Sequence, residues 1–211
     1  MTGVLDPATR ALVGVALGVG RWSSDADVAG RLATARRAGT PPLWVDELLI
    51  SSVLYVGFPR ALVAMAAWRR LAPEPAAGAE PADYERWREW RERGEAMCRQ
   101  VYGRHYEQLR SNVRALHPAL EQWMIVDGYG KTLGRPGLDP MRRELCSVAM
   151  LIPQQTPRQL LSHLGGALHT GATAAQVDEV FEVAAEAGVD RQVLAVGLDL
   201  WHELRDTLGH G

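Results

Sequence analysis

Four capping side chains, each followed directly by proline, restrict the fold more than any other feature of the sequence. They are Asp6-Pro7, Thr40-Pro41, Asp139-Pro140 and Thr156-Pro157. An Asp or Thr oxygen can accept a hydrogen bond from a free amide at the start of a helix. Proline suits the first helical position because its fixed φ is helical and the missing N–H is not needed there. Each pair therefore predicts the beginning of an α-helix.

Other local signals agree with helices between these starts. Thr156 with Gln159 and Thr173 with Gln176 have the spacing of a capping box. Glycines lie where a left-handed residue would end a helix, at Gly39 and Gly171. Apolar residues recur at intervals of three and four, as in Leu160, Leu161, Leu164, Ala167 and Leu168. No segment alternates convincingly as a strand, so we predict an all-α protein of about ten helices.

A stretch rich in proline and alanine, residues 71–83, is the one obvious linker. The segments on its two sides can be aligned as a repeat: 5–12 with 138–145, 31–39 with 163–171, and 44–48 with 176–180. We therefore predict a shortened, degenerate repeat over 1–70 and a longer domain over 84–211. Because a few helices cannot bury their apolar faces alone, the repeats should pack on each other or on further subunits.

Charge and composition exclude several classes of function. Lys and Arg number 23 against 25 Asp and Glu, a net charge of -2, which disfavours a nucleic-acid or membrane partner. No signal peptide or stretch of about 20 apolar residues is visible, so we expect a cytoplasmic protein. The two cysteines, Cys98 and Cys146, have neither Cys-x-x-Cys nor zinc-ligand spacing. We expect both to be reduced, and we expect no metal.

Short blocks in the second half follow one another in a characteristic order. They are 93–94, 101–103, 128–130, 135–139, 143–145, 162–168, 171–173 and 178–180. In this order they resemble the carboxymuconolactone decarboxylase superfamily. The first repeat resembles the same helical core in shortened form, with residues 55–59 matching the segment that follows its long buried helix.

The resemblance implies an alkylhydroperoxidase D-like helical fold that assembles into trimers or hexamers. One branch of the superfamily decarboxylates a muconolactone without a cofactor. The other branch is a peroxidase that uses a Cys-x-x-Cys pair, with a glutamate and a histidine relaying protons. Thr156 and Gln159 occupy the positions of those cysteines, and Glu144 and His163 occupy those of the glutamate and histidine. Without paired thiols the dithiol mechanism loses its chemical basis.

The resemblance makes Glu144 and His163 the candidate catalytic pair, because a histidine oriented by a carboxylate can exchange protons near neutral pH. For substrate binding, Arg135 could hold a carboxylate and Tyr129 could donate a hydrogen bond to a lactone oxygen. Tyr55, from the first repeat, could line the same pocket. These roles have ordinary structural alternatives. His163 could be a core histidine and Glu144 a solvated glutamate, and Arg135 could only pair with a neighbouring acid.

The two repeats differ at these positions. Ala11 and Arg31 replace the glutamate and histidine in the first repeat, while the second has Glu186 where the first has Tyr55. This predicts a composite site, with acid/base residues from the second repeat and lining from the first.

Three functions remain open from the sequence. The first is a cofactor-independent lyase or isomerase acting on a small carboxylated or lactone-like substrate. The second is a peroxidase that uses Cys146 or Cys98 alone. The third is a non-catalytic helical oligomer that binds a small ligand or a partner.

Overall fold

Helices are the regular elements of the structure, a computed structural model that describes residues 4–209. In chain order they are α1 (Pro7–Arg21), α2 (Asp25–Arg37), α3 (Pro42–Ser51), α4 (Val53–Arg69), α5 (Trp87–Tyr102), α6 (Tyr106–Leu116), α7 (Pro118–Trp123), a π-helical segment (Met124–Leu133), α8 (Pro140–Leu151), α9 (Pro157–His169), α10 (Ala174–Glu186) and α11 (Arg191–Gly209). Within that range no strand is present, which confirms the predicted all-α fold.

Three of the predicted helix starts form as expected. Asp6 accepts a hydrogen bond from the amide of Thr9 at the start of α1, and Asp139 accepts one from Arg142 at the start of α8. Thr173 and Gln176 form a complete capping box at the start of α10. These contacts lie within one turn of chain, so sequence spacing alone is enough to predict them.

Two other starts differ from the prediction. α3 begins at Pro42, one residue later than expected, because Pro41 stands before a proline and takes an extended conformation with ψ 130°. The Thr40 hydroxyl instead donates to the carbonyl of Ala8. Thr156 does precede α9, but its side chain caps no amide.

The first and last groups of four helices follow the same order around a shared core. α1 packs on α8, α2 packs on α4, and α9 packs on α11. One large apolar cluster runs through both groups and includes Leu12, Leu17, Leu48, Leu145, Leu164 and Val180. This arrangement supports the proposal of two repeats that bury their apolar faces against each other.

Helix α5 and the π-helical segment lie unusually close together. A β-carbon on Gly94 would collide with the carbonyl of Ile125, and one on Gly130 would collide with the carbonyl of Trp90. Glycine at both positions lets the two backbones touch. This close contact positions Tyr129, which lies in the small apolar cluster between the two elements.

Residues 71–83 are irregular but are tied to the helices around them. The amide of Ala76 donates to Asp46 Oδ2 at 2.8 Å, and Glu80 accepts from Arg93 Nη1 at 2.9 Å. The predicted linker is therefore held against the protein at two points along its length.

No single helix in residues 4–209 is both long enough and apolar enough to cross a membrane. α3 and α4 meet the length and hydropathy requirements only when taken together, and they are bent by 116° at the break between them.

Candidate active site

Glu144 and His163 meet where α8 packs on α9. His163 Nδ1 lies 2.7 Å from Glu144 Oε2, and the two side chains keep only 10% and 3% of their surface exposed. The predicted approach of the two groups is thus confirmed, and the solvated glutamate considered as an alternative is wrong. The carboxylate fixes the imidazole orientation and leaves Nε2 as the nitrogen for proton exchange.

A glycine on α9 makes room for this pair. A β-carbon at Gly166 would lie 2.6 Å from Glu144 Oε2 and 2.7 Å from Val101 Cγ1. Any larger residue would push the carboxylate away from the imidazole. The sequence did not reveal this role, because the requirement arises only where two helices cross.

Tyr55 reaches the pair from α4, in the first half of the chain. Its ring lies edge-on to the His163 imidazole, with centroids 5.8 Å apart, and its hydroxyl lies 2.6 Å from Ser147 Oγ. Ser147 donates its own hydrogen to the Arg143 carbonyl, so Tyr55 must be the donor to Ser147. Burial and the charge of Glu144 raise the pKa of Tyr55, so the phenol stays protonated.

Tyr129 lies on the π-helical segment and also faces this region. Its hydroxyl is 3.2 Å from that of Tyr102, to which it donates, and burial raises the pKa of both phenols. The Tyr129 ring packs edge to face against the Tyr102 ring, with centroids 6.1 Å apart. Tyr129 thus contributes an apolar wall and a hydroxyl that is already engaged with a neighbour.

Tyr55, Tyr129 and His163 border one cavity of about 600 Å³, and Glu144 contacts His163 from outside its lining. Its walls are mainly aromatic and aliphatic, with few polar groups, as expected for a small-molecule site. Its polar and aromatic lining includes Tyr55, Tyr129, Gln154, Thr156, Gln159 and His163. A larger concavity, about 850 Å³, lies beside Arg104, His105 and His169, but neither Glu144 nor His163 borders it.

Arg135 does not belong to this cavity, and its predicted role in binding substrate is wrong. Its Nε and Nη2 each lie 3.0 Å from a carboxylate oxygen of Glu47, and Nη2 also donates to the Glu80 carbonyl at 2.7 Å. Arg143 Nη2 contacts the same carboxylate at 2.9 Å. Glu47, Arg135 and Arg143 are all buried. Arg135 is therefore part of a structural ion cluster, and its guanidinium has no free pair of N–H groups for a ligand.

Both cysteines are free and buried. Burial raises the pKa of each thiol, Cys98 and Cys146, to about 12. The thiolate that nucleophilic or peroxidatic chemistry requires is therefore scarce at neutral pH.

The corresponding place in the first half has no acid/base pair. Arg31 stands where the second half has His163, and Ala11 stands where it has Glu144. Arg31 Nε lies 3.1 Å from Asp27 Oδ1, and Nη1 lies 3.4 Å from the Gly14 carbonyl. The neighbouring Arg10 is paired with Glu186 at 2.7 Å. This region is a set of satisfied ion pairs.

The model of the carboxymuconolactone decarboxylase family matches residues 118–198. This segment of the chain belongs to that family. The matched segment contains Tyr129, Glu144 and His163 but not Tyr55, which the first half supplies. Sequence similarity to "Peroxisomal protein 2" of Schizosaccharomyces pombe (strain 972) reaches 30% identity over 145 residues, 66% of this chain and 66% of that relative. The match thus spans slightly less than two thirds of the relative's length.

The described part of the chain offers no evident set of ligands for a metal ion. Residues 4–209 contain no group of three or more His, Cys, Asp or Glu side chains arranged to hold a metal ion.

Proposed function

We propose that this superfamily member is a cofactor-independent enzyme that moves protons with His163 and Glu144 on a small lactone-like substrate. The proposed reaction is that of a decarboxylase-type lyase or of the related isomerase. The observation that carries this proposal is the buried hydrogen bond of 2.7 Å between the two side chains at the wall of a cavity.

Glu144 orients the base. A buried carboxylate that accepts the Nδ1 hydrogen holds the imidazole in the tautomer whose Nε2 carries a lone pair. It also stabilises the imidazolium that forms when Nε2 takes a proton. In this role Glu144 is a positioning residue and His163 is the catalytic one.

Two reactions fit this pair. In an isomerisation of an unsaturated lactone, Nε2 removes a proton from the carbon beside the lactone carbonyl, and the C–H electron pair forms a dienolate with the existing C=C bond. The imidazolium then returns the proton to the far carbon of that dienolate, so the double bond moves. In a decarboxylation, the C–C electron pair left by departing carbon dioxide forms an enolate, and a His163 that has first taken a proton from solvent protonates it. Both reactions require one acid/base group and no redox partner.

The composite site is part of the proposal. Tyr55 comes from the first half, and its ring packs against the imidazole. Since the Tyr55 hydroxyl donates to Ser147, we assign Tyr55 to positioning the imidazole and lining the cavity.

The peroxidase alternative receives no support from the cysteines. A thiol with a pKa of about 12 is ionised at pH 7 only to roughly one part in 10⁵. A non-catalytic ligand-binding role would use the same cavity but would not require the buried acid/base pair.

Deuterium exchange tests this function. Wild-type protein in D₂O would be incubated with a panel of small lactones, carboxylated and uncarboxylated, and followed by proton NMR. We expect catalysed loss of the signal from hydrogen beside the carbonyl, or loss of the carboxyl group, for at least one member. No catalysis across the panel, with ligand binding intact, would favour the non-catalytic role.

Assembly and location remain proposals of the same kind. We propose a homo-oligomer, in agreement with the exposed apolar side chains that α4 presents at Leu54, Phe58 and Leu62. A monomer by light scattering at micromolar concentration would contradict it. The cytoplasmic location expected from the sequence stays a prediction, which cell fractionation would test.

A further inference from the structure

Two polar atoms beside the acid/base pair are buried without a hydrogen-bond partner. They are the Thr156 hydroxyl oxygen and the Gln154 side-chain nitrogen. Both residues line the cavity that contains His163. Since natural proteins satisfy nearly all their buried polar groups, two orphans at one end of one cavity indicate a site for a ligand atom.

The start of α9 adds further unused donors at the same place. Thr156 stands at the capping position, with φ -108° and ψ 78°, yet its side chain accepts no amide hydrogen. Pro157 has no N–H, so Arg158 and Gln159 carry the first free amides of the helix. The start of an α-helix also carries the positive end of its dipole, which favours a negatively charged oxygen there.

The first half shows what a helix start looks like when it has no such role. Ser24 occupies the corresponding position before α2, and its Oγ accepts a hydrogen bond from the Asp27 amide at 3.1 Å. The contrast with Thr156 is local, because both residues directly precede the second helix of their group. Thr156 has the oxygen needed for capping but does not use it.

Helical spacing places these donors and the base on one face. Thr156, Gln159 and His163 are separated by three and four residues, so they form one stripe along α9. An oxygen held at the start of the helix would therefore lie on the same side as the imidazole, about two turns away along the axis. That separation is about 10 Å between Cα atoms. The His163 side chain leans back towards the start of the helix, so the side chain and one hydrogen bond at each end span most of it, and a small substrate can bridge the rest.

The charges around the cavity determine whether a charged or a neutral ligand oxygen is favoured there. Among its described lining residues there is no Arg or Lys. Asp127 lines it and is paired with Lys131 at 2.7 Å, and Glu144 lies directly behind His163. A permanently charged carboxylate would find no cation here, whereas neutral donors suit an oxygen that becomes charged only during the reaction.

We infer that the Thr156 hydroxyl, the Gln154 amide and the first free amides of α9 receive the carbonyl oxygen of an uncharged lactone or ketone. The inference rests on the proposed function and specifies its substrate class. When His163 Nε2 takes the proton from the adjacent carbon, the C–H pair forms the C=C bond and the carbonyl π pair moves to the oxygen. These donors stabilise that enolate oxygen, which can accept up to three of them. A rotation of the Gln154 side chain towards the ligand is part of the inference.

A phenol that mimics the enol tests this inference by binding alone. 4-Nitrophenol would be titrated into the wild-type protein at a pH where the free phenol is mostly protonated, and the absorbance of its phenolate would be followed. We expect bound phenolate to appear, because a proton can pass to His163 while the donors hold the oxygen. Thr156→Val and Gln154→Leu should each weaken binding by roughly 10-fold, and Thr156→Ser should restore it. 4-Nitrobenzoate, with its permanent charge, should bind more weakly.

Ser24→Ala is the matched control, since it removes the corresponding oxygen at the other helix start and should leave probe binding unchanged. Circular dichroism melting of each variant separates lost binding from lost folding. Unchanged phenolate binding in folded Thr156→Val and Gln154→Leu would overturn the inference, as would tighter binding of the benzoate. Failure of the proposed function has a different signature: His163→Ala would still catalyse deuterium exchange, whatever the probe shows.

Discussion

The two halves of the molecule place different chemistry on the same arrangement of helices. Where α8 meets α9, Glu144 and His163 form a buried pair beside a cavity. Where α1 meets α2, the corresponding residues are Ala11 and an Arg31 that bonds to its own helix and to a backbone carbonyl. The same arrangement of helices therefore carries a buried acid/base pair in one half and ion pairs in the other, and the helical scaffold alone does not determine function.

Loss of the ion cluster that joins the two halves should have the largest effect on stability. In Glu47→Leu the buried guanidinium groups of Arg135 and Arg143 lose their carboxylate, so we expect a loss of about 3–5 kcal/mol in the free energy of unfolding. Urea denaturation measures it. Lys131→Ala removes a partly exposed ion pair and serves as the control, with an expected loss below about 1 kcal/mol. Equal losses in the two variants would contradict the structural role of Arg135.

Tyr55→Phe tests whether the first half contributes to the site. This change keeps the ring against His163 and removes only the hydroxyl that donates to Ser147. We expect turnover to fall roughly 10-fold, about what the loss of one positioning hydrogen bond gives. Tyr55→Ala should fall further because the ring is lost as well. If steady-state kinetics of both variants match wild type, the first half takes no part in the site.

The two helix starts should respond to mutation with opposite signs. Ser24→Ala removes a working cap and should cost about 1 kcal/mol of stability. Thr156→Val replaces an orphaned hydroxyl with a methyl group, so stability should stay equal or rise by a few tenths of a kcal/mol. Thermal or urea unfolding measures both. A comparable loss in the two variants would mean that Thr156 acts as an ordinary cap.

The smallest effect is expected at the cysteines. Burial raises the pKa of Cys98 and Cys146 to about 12, so neither thiol should react with a disulfide reagent at pH 7–8 in the folded protein. The Cys98→Ala, Cys146→Ala double variant should keep most of its activity if it folds. Rapid labelling of native protein, or a folded double variant without activity, would revive the peroxidase alternative.

The sequence predicted the local features and the pair, but not the long-range partners. The caps at Asp6, Asp139 and Thr173 involve contacts three residues apart, so spacing is sufficient. Glu144 and His163 can be predicted as a pair because they occupy the positions of the glutamate and histidine in the superfamily pattern. That pattern reflects two helices that cross at a fixed place. Arg135 was misassigned because its partner, Glu47, lies 88 residues earlier in the chain. The sequence offers no local signal for that contact.

The unpartnered polar atoms at the start of α9 could not be predicted from the sequence, for a related reason. Thr156 has the residue type and position of a cap, and only the folded geometry shows that its oxygen bonds to nothing. The room that Gly166 provides for Glu144 is likewise visible only at the helix crossing.

The rate of deuterium exchange in four variants, on whichever lactone the wild type accepts, tests whether the proton chemistry lies in the second half. His163→Ala and Glu144→Gln should each lower the rate by roughly 10²-fold or more, and the double variant should be little worse, because groups that act as a unit are not additive. Arg31→Ala, at the corresponding place in the first half, should leave the rate unchanged. If Arg31→Ala abolishes exchange while His163→Ala does not, the chemistry does not lie in the second half.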